Sequence, residues 1–88
     1  MVSVGLRIKQ LRDEHNMTMD ELVEGINQHF DLPKPLSKSM ISKWESGKNT
    51  PTLENVKYLS LYFGVSSDYL VGISDIRKPS QLLDMKGE

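Results

Sequence analysis

The sequence predicts an all-α fold, a compact bundle of five short helices. Three observations predict it. Apolar residues recur at helical spacing almost throughout, no segment sustains the period-two alternation of a half-buried strand, and helix start and stop residues punctuate the chain at short intervals. There is no internal repeat and no low-complexity segment.

The first helix is expected over Val4 to His15, with Val4, Ile8 and Leu11 on one stripe. Asn16 ends it, and Met17 packs under the turn. The second begins at Thr18, where Glu21 stands three residues after a hydroxyl and completes a capping box. Asp20 and Glu21 also suit the positive end of the helix dipole. Leu22, Val23 and Ile26 form its buried stripe, and it runs on to His29 or Phe30. Gly25 within it costs helix propensity, which points to close approach of another helix.

Asp31 to Pro35 breaks the pattern, because two prolines in three residues disfavour helix at and before them. A third helix follows within Leu36 to Pro51. Ser37 caps it, Ile41 and Trp44 sit three residues apart as apolar anchors, and Gly47 and Pro51 stop it. Thr52 caps the fourth helix, whose core face reads Leu53, Val56, Leu59, Ser60 and Phe63 before Gly64. Ser66 caps a fifth, Ser67 to Val71, with Tyr69 and Leu70 inward and Gly72 at its end. Residues 1–72 thus form the domain. Residues 73–88 form a tail, linker or dimerisation arm, with Ile73, Ile76, Leu82, Leu83 and Met85 scattered among charges.

With 88 residues, a single small core is the limit. There are no cysteines, which removes disulfides and thiolate metal sites and suits a reducing cytoplasm. His15 and His29 are isolated and lack ligand spacing. No apolar run approaches the ~20 residues that span a bilayer, and no signal-peptide core is present. Paired carboxylates, a nucleophile with its base, and a phosphate-cradling glycine loop are all unreadable here, so an enzyme is not expected and no cofactor is implied.

The net charge of −1 argues against an indiscriminate nucleic-acid binder. The distribution says more than the sum. Lys34, Lys38, Lys43 and Lys48 face a single acid, Glu45, across residues 34–48, while acids gather between Asp13 and Glu24. The third helix therefore has an apolar back and a front of donors and positive charge, in Lys38, Ser39, Ser42 and Lys43. Double-stranded DNA is the best candidate for such a front.

Four runs stand in order along the chain. They are Ile8-xx-Leu11-Arg12; Met17-Thr18-xx-Glu21-Leu22; Ser37 to Lys48, reading SKSMISKWESGK and followed by Pro51; and Phe63-Gly64-Val65-Ser66-x-Asp68-Tyr69-Leu70-x-Gly72. Over about residues 4 to 72 this resembles the lambda-repressor-like helix-turn-helix domains, the XRE family of phage and bacterial repressors. The resemblance implies a five-helix bundle that binds operator DNA as a homodimer, with the third helix in the major groove.

It places base reading at Lys38, Ser39, Ser42 and Lys43, with Met40 adding apolar contact. Lysine can donate to guanine O6 or N7, serine to either base pair, and Met40 could pack on a thymine methyl. Ser37 at the helix N-terminus suits a phosphate, and Lys48, Asn49 and Thr50 resemble the family's backbone-contacting loop. Arg12 and Glu45 occupy positions where relatives pair an arginine with a glutamate. Two departures stand out. Relatives often carry a phosphate-holding glutamine where this chain has Met19. Asn27 to Pro35 also replaces a turn of about one residue, so Lys34, with His29 as second candidate, is expected to approach phosphate.

Tyr58, Leu61 and Tyr62 fall where relatives often have polar residues, and are expected to form an exposed apolar surface for a second copy or a protein partner. The function expected first is a sequence-specific transcriptional regulator, a repressor of phage or mobile-element type. The alternatives are an antitoxin that represses its own operon, and a protein-interaction module that sequesters another regulator.

Overall fold

The computed structural model describes residues 3–77. Each helix begins on a hydroxyl that satisfies an orphan backbone donor. Ser3 accepts from the Leu6 amide before α1 (Val4–Glu14), and Thr18 accepts from Glu21 before α2 (Met19–His29). Ser37 accepts from Met40 before α3 (Lys38–Glu45), Thr52 from Asn55 before α4 (Leu53–Phe63), and Ser66 from Tyr69 before α5 (Ser67–Leu70). At α2 the box is reciprocal: the Glu21 carboxylate also accepts from the Thr18 amide at 2.8 Å.

The helix ends use left-handed backbone where the chain must turn sharply. Gly64 takes φ 71° after α4 and Gly47 takes φ 83° after α3. Asn16 adopts φ 54° after α1, a conformation that asparagine tolerates better than most residues. Among the described residues there are five α-helices and no strand, the architecture expected from the sequence.

α3 packs between α1 and α2, α4 packs on α2 and α5, and α5 returns to α1. The core they enclose contains Ile8 and Leu11 of α1, Leu22 and Ile26 of α2, Ile41 and Trp44 of α3, and Val56 and Leu59 of α4. Leu36, Val65, Tyr69 and Leu70 complete it. Two glycines set helix separations. A Cβ on Gly5 would overlap the Trp44 carbonyl oxygen and come within 3.2 Å of the Glu45 Cα, so α1 and α3 touch backbone to backbone. A Cβ on Gly25 would overlap the Tyr62 hydroxyl, so α4 closes on α2 there.

Two features differ from the sequence reading. Leu53, expected in the core, is 84% exposed. Helical periodicity places it on the apolar stripe of α4, but it occupies the first turn, beyond the point where that stripe is covered. Val23 and Phe63 are only half-buried, packed at the core's edge.

Residues 73–77, the first part of the stretch read as a tail, linker or dimerisation arm, fold back on α1 and α5. The Ser66 amide donates to the Arg77 carbonyl, and the Ser66 hydroxyl donates to the Ile76 carbonyl at 2.7 Å. Arg7 of α1 is buried, donates to the Asp75 carboxylate at 3.2 Å, and stacks 3.9 Å from the centroid of Tyr69. Arg77 also lies over Tyr69, at 5.0 Å, and pairs with Glu14 through two bonds of 2.8 and 2.7 Å. Residues 78–88, with Leu82, Leu83 and Met85, lie outside the described residues.

Candidate nucleic-acid interface

The face of interest is built on α3. Burial of Ile41 and Trp44 turns the opposite side of this eight-residue helix outward, so Lys38, Ser39, Ser42 and Lys43 are all exposed. Met40 differs from the other base-reading candidates. It is half-buried against the core and lines a groove with Leu32, Pro33, Lys34 and Tyr58, so its apolar surface is spent largely inside the molecule.

Three contacts orient α3. Arg12 reaches from α1 and grips Glu45 bidentately, Nε to Oε2 and Nη2 to Oε1, both at 2.9 Å. A third bond, Nη1 to the Met17 carbonyl at 2.8 Å, ties the same guanidinium to the turn before α2. The Glu45 side chain is only 5% exposed and that of Arg12 12%, so this fork is held away from solvent, where charge-assisted bonds are strong. Hydrogen bonding to Glu45 raises the Arg12 guanidinium above its ordinary value, outweighing the opposing effect of burial. Because Arg12 neutralises the only carboxylate on α3, the field of Lys38 and Lys43 is left uncancelled by their own helix.

The second contact closes the long connector from α2. The Asn27 carboxamide donates to the Leu36 carbonyl and accepts from the Leu36 amide, each at 2.9 Å. Phe30 and Leu32 pack at the core's edge, while Pro33, Lys34 and Pro35 are exposed. α3 therefore starts from a pinned residue, Leu36, although a tight turn is absent.

The third contact is at the C-terminus of α3. The Lys43 carbonyl accepts from the Lys48 amide at 2.9 Å and the Asn49 amide at 3.2 Å, while the Trp44 carbonyl accepts from Gly47 at 3.2 Å. Lys48, Asn49 and Thr50 are thereby carried on a closed, exposed loop directly after α3.

Ser37 uses its hydroxyl oxygen as the cap of α3 and keeps its proton for donation. Lys34 stands beside Met40 and the first turn of α4, on the groove rim. His29 is engaged elsewhere, with ring centroids 4.7 Å from Phe30 and 5.9 Å from Tyr62. Met19 is half-buried against the core and offers no donor. The expected exposed patch is largely corrected. Tyr58 packs 5.1 Å from Phe30, which follows α2 and folds onto α4, and Tyr62 packs 5.6 Å from Phe63 of its own helix and 5.9 Å from His29 of α2, so both are half-buried. Of the three, Leu61 alone is largely exposed, at 57%.

Sequence reasoning missed Asn27, Gly5, Arg7 and the partner of Lys38. That partner is Asp20 in the first turn of α2, whose carboxylate lies 3.7 Å from the Lys38 ammonium. Nothing in spacing could have joined residues from two helices separated by an irregular connector.

Residues 8–70 match the helix-turn-helix family model. The chain belongs to this family. It is 37% identical over 65 residues to the HTH-type transcriptional activator BcrR of Enterococcus faecalis, covering 74% of this chain and 28% of that protein. It is 32% identical over 73 residues to the uncharacterized HTH-type transcriptional regulator YobD of Bacillus subtilis, covering 83% and 58% respectively. Against antitoxin HigA of Escherichia coli K12 it is 39% identical over 59 residues, covering 67% and 36%. The chain thus spans from about a quarter to somewhat over half the length of these relatives. No solved structure resembles the chain closely enough to count as a match. Among the described residues, no helix is long and apolar enough to cross a membrane.

Proposed function

We propose that this chain is a sequence-specific DNA-binding domain of a transcriptional regulator, reading the major groove with α3. The observation that carries this reading is the arrangement of α3: Ile41 and Trp44 are buried, Lys38, Ser39, Ser42 and Lys43 point out, and the Arg12–Glu45 fork fixes the helix on α1. An α-helix about 10–12 Å across with its side chains fits a major groove about 12 Å wide, and α3 presents its outward face for that fit. Lys38, Ser39, Ser42 and Lys43 contact base edges, with Met40 contributing only its outer surface. Ser37, Lys34, Lys48, Asn49 and Thr50 contact phosphate and set register. Two copies bind half-sites about one helical turn apart, or a multiple of it, using a surface that includes Leu61. Repression by occluding a promoter is the first reading of the outcome.

Selection of bound duplexes from a random pool tests this. A palindromic consensus is expected, and Lys38→Ala with Lys43→Ala should abolish its retention while the helical circular dichroism is unchanged. Unaltered binding by that double variant would mean that α3 is not the reading helix. A reporter with the selected site overlapping or preceding its promoter separates repression from activation.

The likeness to HigA favours a second reading, an antitoxin that also masks a toxin. Co-purification of a small protein encoded by the adjacent gene, with relief of its growth arrest by this chain, is the result that reading requires.

A further inference from the structure

The ion pair between Asp20 and Lys38 lies at the surface, where such a pair adds little to stability. It joins the first turn of α2 to the first residue of α3, and both side chains are largely exposed, at 74% and 63%. Asp20 is not a cap: Thr18 caps α2, and the carboxylate that completes the box belongs to Glu21. A carboxylate beside the N-terminus of a DNA-reading helix repels phosphate, so its presence there opposes generic binding. From its partner we infer that Asp20 is a positioning residue for sequence discrimination, holding Lys38 over one base pair. This rests on α3 being the DNA-reading helix.

Lysine is a point charge on a flexible stem, and left free it can swing to phosphate, which carries no sequence information. Lys34 and Lys48, the phosphate contacts, have no carboxylate partner among the described residues and are suited to that generic attraction. Lys38 is different. At 3.7 Å from Asp20 its ammonium is restrained by charge without a short hydrogen bond, so its protons remain available to an acceptor. The base that presents two acceptors in the major groove is guanine, through O6 and N7. The Asp20–Lys38 pair is therefore a reader of one G·C pair in each half-site. Its two charges also cancel, which keeps Lys38 out of the phosphate attraction.

The test is random-pool selection with the wild-type chain, Asp20→Asn, Lys38→Met and the double variant, together with salt titrations on a duplex lacking the selected site. Wild type should select guanine at one position per half-site, and Lys38→Met should lose it. Asp20→Asn should keep the rest of the consensus while preference at that position falls. Its affinity for the generic duplex should rise about two- to fivefold at low salt, with the salt slope steeper by about one counterion. In the Lys38→Met background, Asp20→Asn should leave base preference unaltered. Identical base profiles and salt slopes for wild type and Asp20→Asn would overturn the inference while leaving α3 as the reading helix. An equal change in the Lys38→Met background would overturn it too, since Asp20 would then act without Lys38. A wild-type chain that selects no sequence would overturn both this inference and the proposed function.

Discussion

Asn27 holds both backbone groups of Leu36, donating to its carbonyl and accepting from its amide at 2.9 Å each. One side chain near the end of α2 thereby pins the residue from which α3 starts, across nine positions of chain. Leu36 is buried, so its two groups have little access to water as a substitute partner. Replacing Asn27 by Ala leaves two buried backbone groups unsatisfied, a loss of roughly 2–4 kcal/mol. Urea denaturation should show it as a lower midpoint, and the Leu36 amide should lose its protection from hydrogen exchange. Asn27→Asp should recover little, because a carboxylate cannot donate to the Leu36 carbonyl.

The Arg12–Glu45 fork is the second test of how α3 is held. Removing either partner alone strands a charge with little access to water, and Glu45→Ala or Arg12→Ala should each destabilise by about 3 kcal/mol. Replacing both with apolar residues, Arg12→Met with Glu45→Leu, should cost less than the sum, since buried pairs commonly only break even against apolar packing. A double-mutant cycle in urea should give a coupling of about 1–3 kcal/mol. A coupling near zero would mean that the fork is not what orients α3.

The glycines separate two kinds of close approach. Gly5→Ala drives a methyl into the Trp44 backbone, which cannot turn aside, and should cost about 3 kcal/mol, at the upper end for overpacking. Gly25→Ala meets the end of the Tyr62 side chain instead. There the alanine gains up to about 1 kcal/mol of helix propensity against a smaller clash. Tyr62→Phe removes the nearest clashing atom, so Gly25→Ala should be better tolerated in that background. Thermal melts of the single and double variants decide the matter.

Glu14 and Arg77 couple residues 73–77 to acid stability. The hydrogen bond from Arg77 lowers the Glu14 carboxyl below its ordinary value of 4.5. A carboxylate depressed in the folded state binds protons more readily when unfolded. Its contribution is thus full above about pH 4.5 and is lost as pH falls through the folded value. Glu14→Gln should flatten that part of the stability–pH curve and change little at pH 7. Both groups are partly exposed, so raised salt should shrink the effect. Arg77→Ala should mimic Glu14→Gln, with a further loss from the Tyr69 face it covers.

Local chemistry makes the helices legible in the sequence. A hydroxyl with helical apolar spacing behind it marks a start wherever it stands, and Thr18 with Glu21 or Thr52 with Asn55 act within a single helical turn. Gly47 and Gly64 likewise stop helices through their own backbone freedom. The five-helix architecture, the buried Ile41 and Trp44, and the outward Lys38, Ser39, Ser42 and Lys43 all follow from periodicity, because burying one stripe of a helix exposes the other. Tertiary structure alone decided which stripe positions find a cover and which distant groups meet. Leu53 lies on the right stripe and is bare. Tyr58 and Tyr62, which read as exposed, are half-covered through contacts made by Phe30, His29 and Phe63. Asn27 meets Leu36, Arg7 meets Tyr69, and Asp20 meets Lys38. The physical reason is common to all of these. Capping and periodicity act over one or two helical turns, whereas a contact between helices depends on how every intervening element packs.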